Sequence, residues 1–147
     1  MKICLTLNGS PVEAEVRTDE TLLSVLRRDL GVLSVRETCG IGVCGACTVL
    51  VDGETISSCL LLAPLADGTS ITSVEGLGGD HPVQRAFSDA HAFQCGYCTP
   101  GMILTAKRFL EENPSPTEEE TRLALAGNLC RCGCYVKLVE AVTRAAL

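Results

Sequence analysis

The chain has 147 residues, ten of them cysteine and none tryptophan, and a formal net charge of −6. No Lys/Arg-rich run interrupts that acidity, so the electrostatic footprint of nucleic-acid binding is missing. No P-loop pattern occurs, and no nucleotide or flavin cradle is expected within the chain. No apolar run is long enough to cross a bilayer, and the first nine residues lack the charged–apolar–small order of a secretory signal. The expectation is therefore a cytoplasmic protein without direct membrane insertion. In that reducing setting clustered cysteines read as metal ligands or redox centres rather than disulfides.

From Lys2 to Asn8 the residues alternate, with Ile3, Leu5 and Leu7 on one face and Cys4 and Thr6 on the other, which is strand periodicity. Asn8-Gly9 signals a tight turn, and Val12, Ala14 and Val16 resume the alternation, so a hairpin is expected. Thr18-Asp19 offers an N-cap for a helix carrying Leu22, Leu23, Val25, Leu26 and Leu30, with Gly31 as its stop. Beyond a cysteine-rich loop, Thr48–Val51 reads as a buried strand, Asp52-Gly53 as a turn and Thr55-Ile56 as the return strand. Asp67-Gly68 then turns the chain into Ser70–Thr72. These elements predict an α+β unit, a small sheet with one helix on a face.

The glycine-rich stretch from Gly76 to Asp80 is the expected boundary, dividing the chain into 1–76 and 77–147. Past it the pattern turns helical. One helix opens at Pro82 and runs to about Ala92; a second is capped by Thr99, with Pro100 in its first turn, and runs to about Glu112. Thr117 and Glu120 form a capping box for a short third, and a fourth covers about Val136 to Ala146. Four helices predict an all-α four-helix bundle with cysteine-bearing loops at its ends.

Cys39, Cys44 and Cys47 follow the spacing C-x4-C-x2-C, and Cys59 supplies a fourth thiol after a short gap. That is the loop pattern of a plant-type [2Fe-2S] site. Curling three sulfurs inward needs backbone angles that Gly40, Gly42 and Gly45 allow, and the curl aims successive N–H groups at an anionic centre. A structural zinc site also takes four cysteines, but it usually pairs them as C-x2-C with C-x2-C. A second set is Cys95-x2-Cys98 with Cys130-x-Cys132. Cys98 stands just before a helix, whose partial positive charge is expected to lower its thiol pKa. On spacing alone a zinc-knotted helical unit stays open for this second set.

With these residues in view, the sequence resembles the small iron–sulfur subunits of the molybdenum hydroxylases, the xanthine oxidase, aldehyde oxidase and carbon monoxide dehydrogenase group. The resemblance runs through Cys39-Gly40-Ile41-Gly42-Val43-Cys44-Gly45-Ala46-Cys47-Thr48-Val49, Ser58-Cys59-Leu60, Gln94-Cys95-Gly96-Tyr97-Cys98-Thr99-Pro100-Gly101-Met102 and Asn128-Leu129-Cys130-Arg131-Cys132. It implies a β-grasp, ferredoxin-like domain followed by a helical domain, each holding one [2Fe-2S] cluster. It implies that Cys39, Cys44, Cys47 and Cys59 hold the distal cluster, and Cys95, Cys98, Cys130 and Cys132 the proximal one. Gln94 and Cys132 match positions that lie against the pterin in relatives. Two partners follow, one a large molybdopterin-binding subunit, the other a medium FAD-binding subunit. Electrons would pass from molybdenum through both clusters to FAD or another acceptor. No catalytic residue for the substrate is expected here, and the substrate is not readable.

The chain departs from the family pattern at two places. Cys130-Arg131-Cys132-Gly133-Cys134-Tyr135 stands where the family has C-R-C-T-G-Y, so Cys134 is an extra thiol, read as a small buried residue with a competing ligand as the alternative. Thr38 replaces a frequent glycine before Cys39. Cys4 reads as core or ordinary surface, and His81 and His91 as structural or solvent-facing. Arg131, between two cysteines, either supplies positive charge to a cluster or pairs with a neighbouring acid. A free two-cluster ferredoxin is the competing function; a positive mean hydropathy with few charges favours a subunit that buries surface against partners.

Overall fold

The computed structural model describes residues 1–145. Strands β1 (Lys2–Leu7) and β2 (Ser10–Glu15) pair antiparallel in the register Lys2 with Glu15 through Leu7 with Ser10. Asn8 and Gly9, at φ 50° and 84°, make the left-handed two-residue turn that matches strand twist. Asp52 and Gly53 (φ 49° and 88°) repeat the device between β3 (Thr48–Val51) and β4 (Glu54–Ser57). Strand β5 (Ser70–Thr72) enters between the hairpins, parallel to β1 and antiparallel to β3, giving the mixed order β2-β1-β5-β3-β4. Helix α1 (Leu22–Arg28) buries Leu22, Leu23, Val25 and Leu26 against Ile3, Val49 and Ile71. Its cap is Thr21, which accepts from the Ser24 N–H at 3.3 Å, and not the expected Thr18-Asp19. Asp19 instead chelates Arg17.

The second half holds α2 (Pro82–Asp89), α3 (Thr99–Glu112), α4 (Glu118–Ala124) and α5 (Tyr135–Arg144). The end expected for the last helix, Ala146, lies outside the described residues. Thr117 and Glu120 cap α4 reciprocally, as their spacing predicts. His81 caps α2: its Nδ1 accepts from the Val83 N–H at 3.3 Å, and burial, followed by the nearby Lys107 charge, holds its pKa below the usual imidazole range. The residue before α3 is Cys98 rather than Thr99, and its side chain makes no capping bond. Val83, Phe87, Met102, Leu110, Leu125, Leu138 and Val142 form a second core, on which Val74 and Leu77 of the connecting turn also pack. Thus the chain is a mixed ferredoxin-like sheet with one helix, followed by a helical unit.

The halves meet where the cysteines are. A Cβ on Gly101, in the first turn of α3, would stand 2.3 Å from the Gly45 carbonyl oxygen, so only glycine lets that helix approach the first cysteine loop. Asn128 Nδ2 donates to the same oxygen at 3.2 Å, and the Leu129 N–H donates to the Cys44 carbonyl at 2.9 Å. Arg108 of α3 adds an ion pair to Glu54 on β4.

Candidate metal centres

Residues 39–47 lie between α1 and β3 with no strand leading into them. Gly40-x-Gly42-x-x-Gly45 satisfies the letters of a dinucleotide fingerprint, but that motif needs a strand before it and a helix after it, and here the order is reversed. The loop curls instead around sulfur. Gly42 has φ 75°, and a Cβ there would stand 2.3 Å from Leu60 Cδ1; at Gly45 (φ 69°) it would stand 2.6 Å from the Gly127 carbonyl oxygen. Cys44, Cys47 and Cys59 are buried and Cys39 is half-buried.

The thiols meet in pairs. Cys39 contacts Cys44, and Cys47 contacts Cys59. The backbone N–H of Ile41, the Cys44 thiol and the Cys44 N–H bring the Cys39 thiol down to about 6, whereas burial and then Cys47 push Cys59 up to about 11. In the second set Cys95 contacts Cys132, and Cys98 contacts Cys130, which the extra thiol Cys134 also touches. The Tyr97 N–H donates to Cys95 Sγ at 3.5 Å and leads in lowering that thiol. Burial and then Cys130 push Cys98 up to about 12. This direction is opposite to the one expected from the helix start, because burial and the neighbouring thiols disfavour the charged form. Four thiols gathered in this way need a cationic core before all can ionise.

Among the described residues, no three or more His, Cys, Asp or Glu side chains gather as a single metal ion requires. Two-by-two pairing suits a binuclear centre, in which each iron takes two thiolates, and is unlike the single tetrahedron of zinc. Two further observations fit an inserted cluster. Thr99 Oγ1, next to Cys98, is buried without a protein partner. The N–H groups of Ile41, Val43 and Tyr97 already point at sulfur. A cavity of about 370 Å³ touches both sets, lined by Cys44, Ala46, Cys95, Cys98, Leu129 and Cys130 among others.

Two family models divide the chain. Residues 5–72 match the 2Fe-2S iron-sulfur cluster binding domain, and residues 73–143 the [2Fe-2S] binding domain. The nicotinate dehydrogenase small FeS subunit of Eubacterium barkeri is 48% identical over 95% of this chain and 91% of its own length. Quinoline 2-oxidoreductase from Pseudomonas putida superposes with a TM-score of 0.94 at 44% identity, over 97% of this chain and 90% of that one. The chain belongs to the small iron–sulfur subunits of the molybdenum hydroxylases. Aldehyde oxidoreductase from Desulfovibrio desulfuricans, at 41% identity and a TM-score of 0.93, matches 99% of this chain but only 17% of its own. In that relative the same unit is one part of a much longer polypeptide.

For this small subunit several positions were not legible as part of the site. Asn128, which clamps Gly45, lies inside a recognisable motif but carries no ligand chemistry. The Tyr135 hydroxyl accepts from the Cys130 N–H at 2.8 Å. Arg36 lies over the Tyr97 ring, 5.2 Å from its centroid. Cys134 contacts Cys130 and packs on the second core, with its thiol raised first by burial. Arg131 is exposed, without an ion pair among the described residues. Gln94 and Cys95 are exposed beside Phe93. Cys4 is a surface thiol 3.7 Å from Glu13 Oε1, and His91 is also exposed.

Proposed function

We propose that Cys39, Cys44, Cys47 and Cys59 hold one [2Fe-2S] cluster, that Cys95, Cys98, Cys130 and Cys132 hold a second, and that the chain carries electrons within a molybdenum hydroxylase complex. The pairwise meeting of the thiols at two neighbouring places carries this reading. Bound there, the clusters supply one-electron transfer from the molybdenum centre of a large molybdopterin-binding partner toward FAD or another acceptor. The chain's own residues hold the iron, shield it and connect the two sites. Leu129 N–H, bonded to the Cys44 carbonyl, is one peptide from Cys130, so a single hydrogen bond joins the two ligand sets. Burial keeps Cys44, Cys47, Cys59 and Cys130 from solvent and from competing reactions.

The large partner's pterin is assigned to the face carrying Gln94 and Cys132, where Phe93, Leu129, Tyr135 and Val136 leave apolar surface exposed. A medium FAD subunit or another acceptor is assigned to the exposed Ile41, Val43 and Leu60 around the first loop. Of the relatives named above, two act, by their names, on nicotinate and quinoline and one on aldehydes; an N-heteroaromatic substrate is proposed for the large partner, ahead of an aldehyde. The first unit is proposed to be a β-grasp domain over 1–76, and the second a four-helix bundle over 77–147. No helix among the described residues is long and apolar enough to cross a membrane. A cytoplasmic location is proposed because clustered cysteines that serve as metal ligands suit a reducing compartment.

The test is the cofactor content of the chain purified with its partners. About four iron and four acid-labile sulfides per chain are expected, from two [2Fe-2S] centres with separate EPR signals. Stoichiometric zinc with little iron would overturn the ligand reading. Elution of the holoprotein from native extract at the mass of a free monomer would favour a diffusing ferredoxin over a subunit.

A further inference from the structure

Arg36 is a cation without a counter-charge. Its side chain is half-buried, and its Nε is buried with no hydrogen-bond partner. Of the other arginines, Arg17, Arg28, Arg85, Arg108, Arg122 and Arg144 are in ion pairs, Arg27 donates to the Leu33 and Val35 carbonyls, and Arg131 is exposed to water. Among the described residues Arg36 is in no ion pair. Withdrawing a guanidinium from water is costly unless negative charge lies close by.

Its surroundings are the two cysteine loops. The Arg36 N–H donates to the Ala46 carbonyl at 3.2 Å, between Cys44 and Cys47. Its guanidinium lies 5.2 Å from the ring centroid of Tyr97, between Cys95 and Cys98. Tyr97 is fixed at both ends, its N–H on Cys95 Sγ and its hydroxyl donating to the Glu37 carbonyl at 2.7 Å. Backbone and side chain of one residue thus reach one loop of each thiol set.

We propose that Arg36 is the shared counter-charge of the two clusters and sets the reduction potential of both. The proposal rests on the ligand reading above. Two ferric ions, two sulfides and four thiolates carry net negative charge, and each one-electron reduction adds one more negative charge with no proton taken up. The electron arrives from the large partner's molybdenum centre and leaves to the acceptor. A fixed positive charge held by residues of both loops would stabilise the reduced form of each cluster and raise both potentials together. Arginine suits the task because it stays protonated and stacks on an aromatic face.

The experiment uses the assembled complex carrying Arg36→Gln, Arg36→Met or Arg36→Lys, with Tyr97→Leu as the packing control. Iron and sulfide content and the two EPR signals are recorded first, and wild-type protein lacking two signals would defeat the ligand reading itself. EPR-monitored redox titration then gives each potential. Arg36→Gln and Arg36→Met should move both potentials negative, Arg36→Lys should restore most of each shift, and Tyr97→Leu should shift them less than Arg36→Met. Unmoved potentials, movement of only one cluster, or failure of lysine to restore would overturn the proposal. Should the neutral variants lose iron, Arg36→His measured across the imidazole range, about pH 5 to 8, decides it. Both potentials should then climb as the pH falls, and a pH profile matching that of wild type counts against the shared charge.

Discussion

Cys134 tests how strictly the thiols are counted. It touches Cys130, so proximity alone makes it a candidate ligand. Yet Cys130 is already matched with Cys98, and Cys95 with Cys132, which fills both irons of a binuclear centre. Cys134→Ser and Cys4→Ser should each leave iron content at the wild-type value. Loss of one EPR signal in Cys134→Ser would mean a misassigned ligand, with Cys132 the first suspect. The same neighbourhood shows where reading residues in isolation ends. Spacing and glycines are local and name the ligands of the proposal directly. The protonation tendency of Cys98 depends on burial by distant segments, and local reasoning about a helix start gives the wrong sign. Arg36 and Tyr97 are 61 positions apart, and although Tyr97 lies inside the Cys95–Cys98 pattern, nothing in that pattern points to Arg36, so their stacking leaves no trace in any window of sequence.

Between elements, the closest approach is that of α3 to the first cysteine loop. At Gly101 the obstacle to a Cβ is the Gly45 carbonyl, backbone that cannot swing aside as a long side chain can. Gly101→Ala must push α3 away, and a clash of this kind in a packed interior costs about 1–3 kcal/mol. A lowered melting temperature with weakened binding of the first cluster is expected from calorimetry and EPR. An unchanged melting temperature would mean the loop yields freely. Gly45→Ala should be worse, since it adds left-handed backbone strain to a clash with the Gly127 carbonyl. Elements built by short-range rules were legible: both hairpin turns, the Thr117–Glu120 box and the buried face of α1. The cap at Thr21 was not, because Thr18-Asp19 obeys the same local rule and only the Arg17–Asp19 contact removes it from competition. Nor was the Asn128–Gly45 clamp, which joins residues 83 positions apart.

At the scale of the molecule, many of the large apolar residues left exposed lie at the two candidate centres, while Met1, Leu33, Leu62, Leu65 and Leu123 are exposed elsewhere. Val136 is 78% exposed and Leu129 53%, beside the second thiol set, and Ile41 is 67% exposed on the first loop. A monomer that worked alone would gain nothing from placing large apolar side chains in water there, whereas a subunit covers them with partners. Two small cores add to the case, since units of this size are marginal without a bound centre or a neighbour. The chain expressed alone should therefore aggregate or lose iron, and it should oxidise no substrate. In the complex, Cys98→Ala removes a thiol packed on the second core and opposite Cys130. Because each cluster's binding energy is folding energy for the unit that holds it, iron should fall toward the content of one cluster, with the first cluster's EPR signal retained. Substrate added anaerobically should still reduce the molybdenum centre of this variant in a single turnover, while steady-state delivery to the terminal acceptor should be lost. Full acceptor reduction by the Cys98→Ala complex would show that electrons bypass the second thiol set. Substrate oxidation by the isolated chain would place chemistry in a subunit that, on this reading, only conducts.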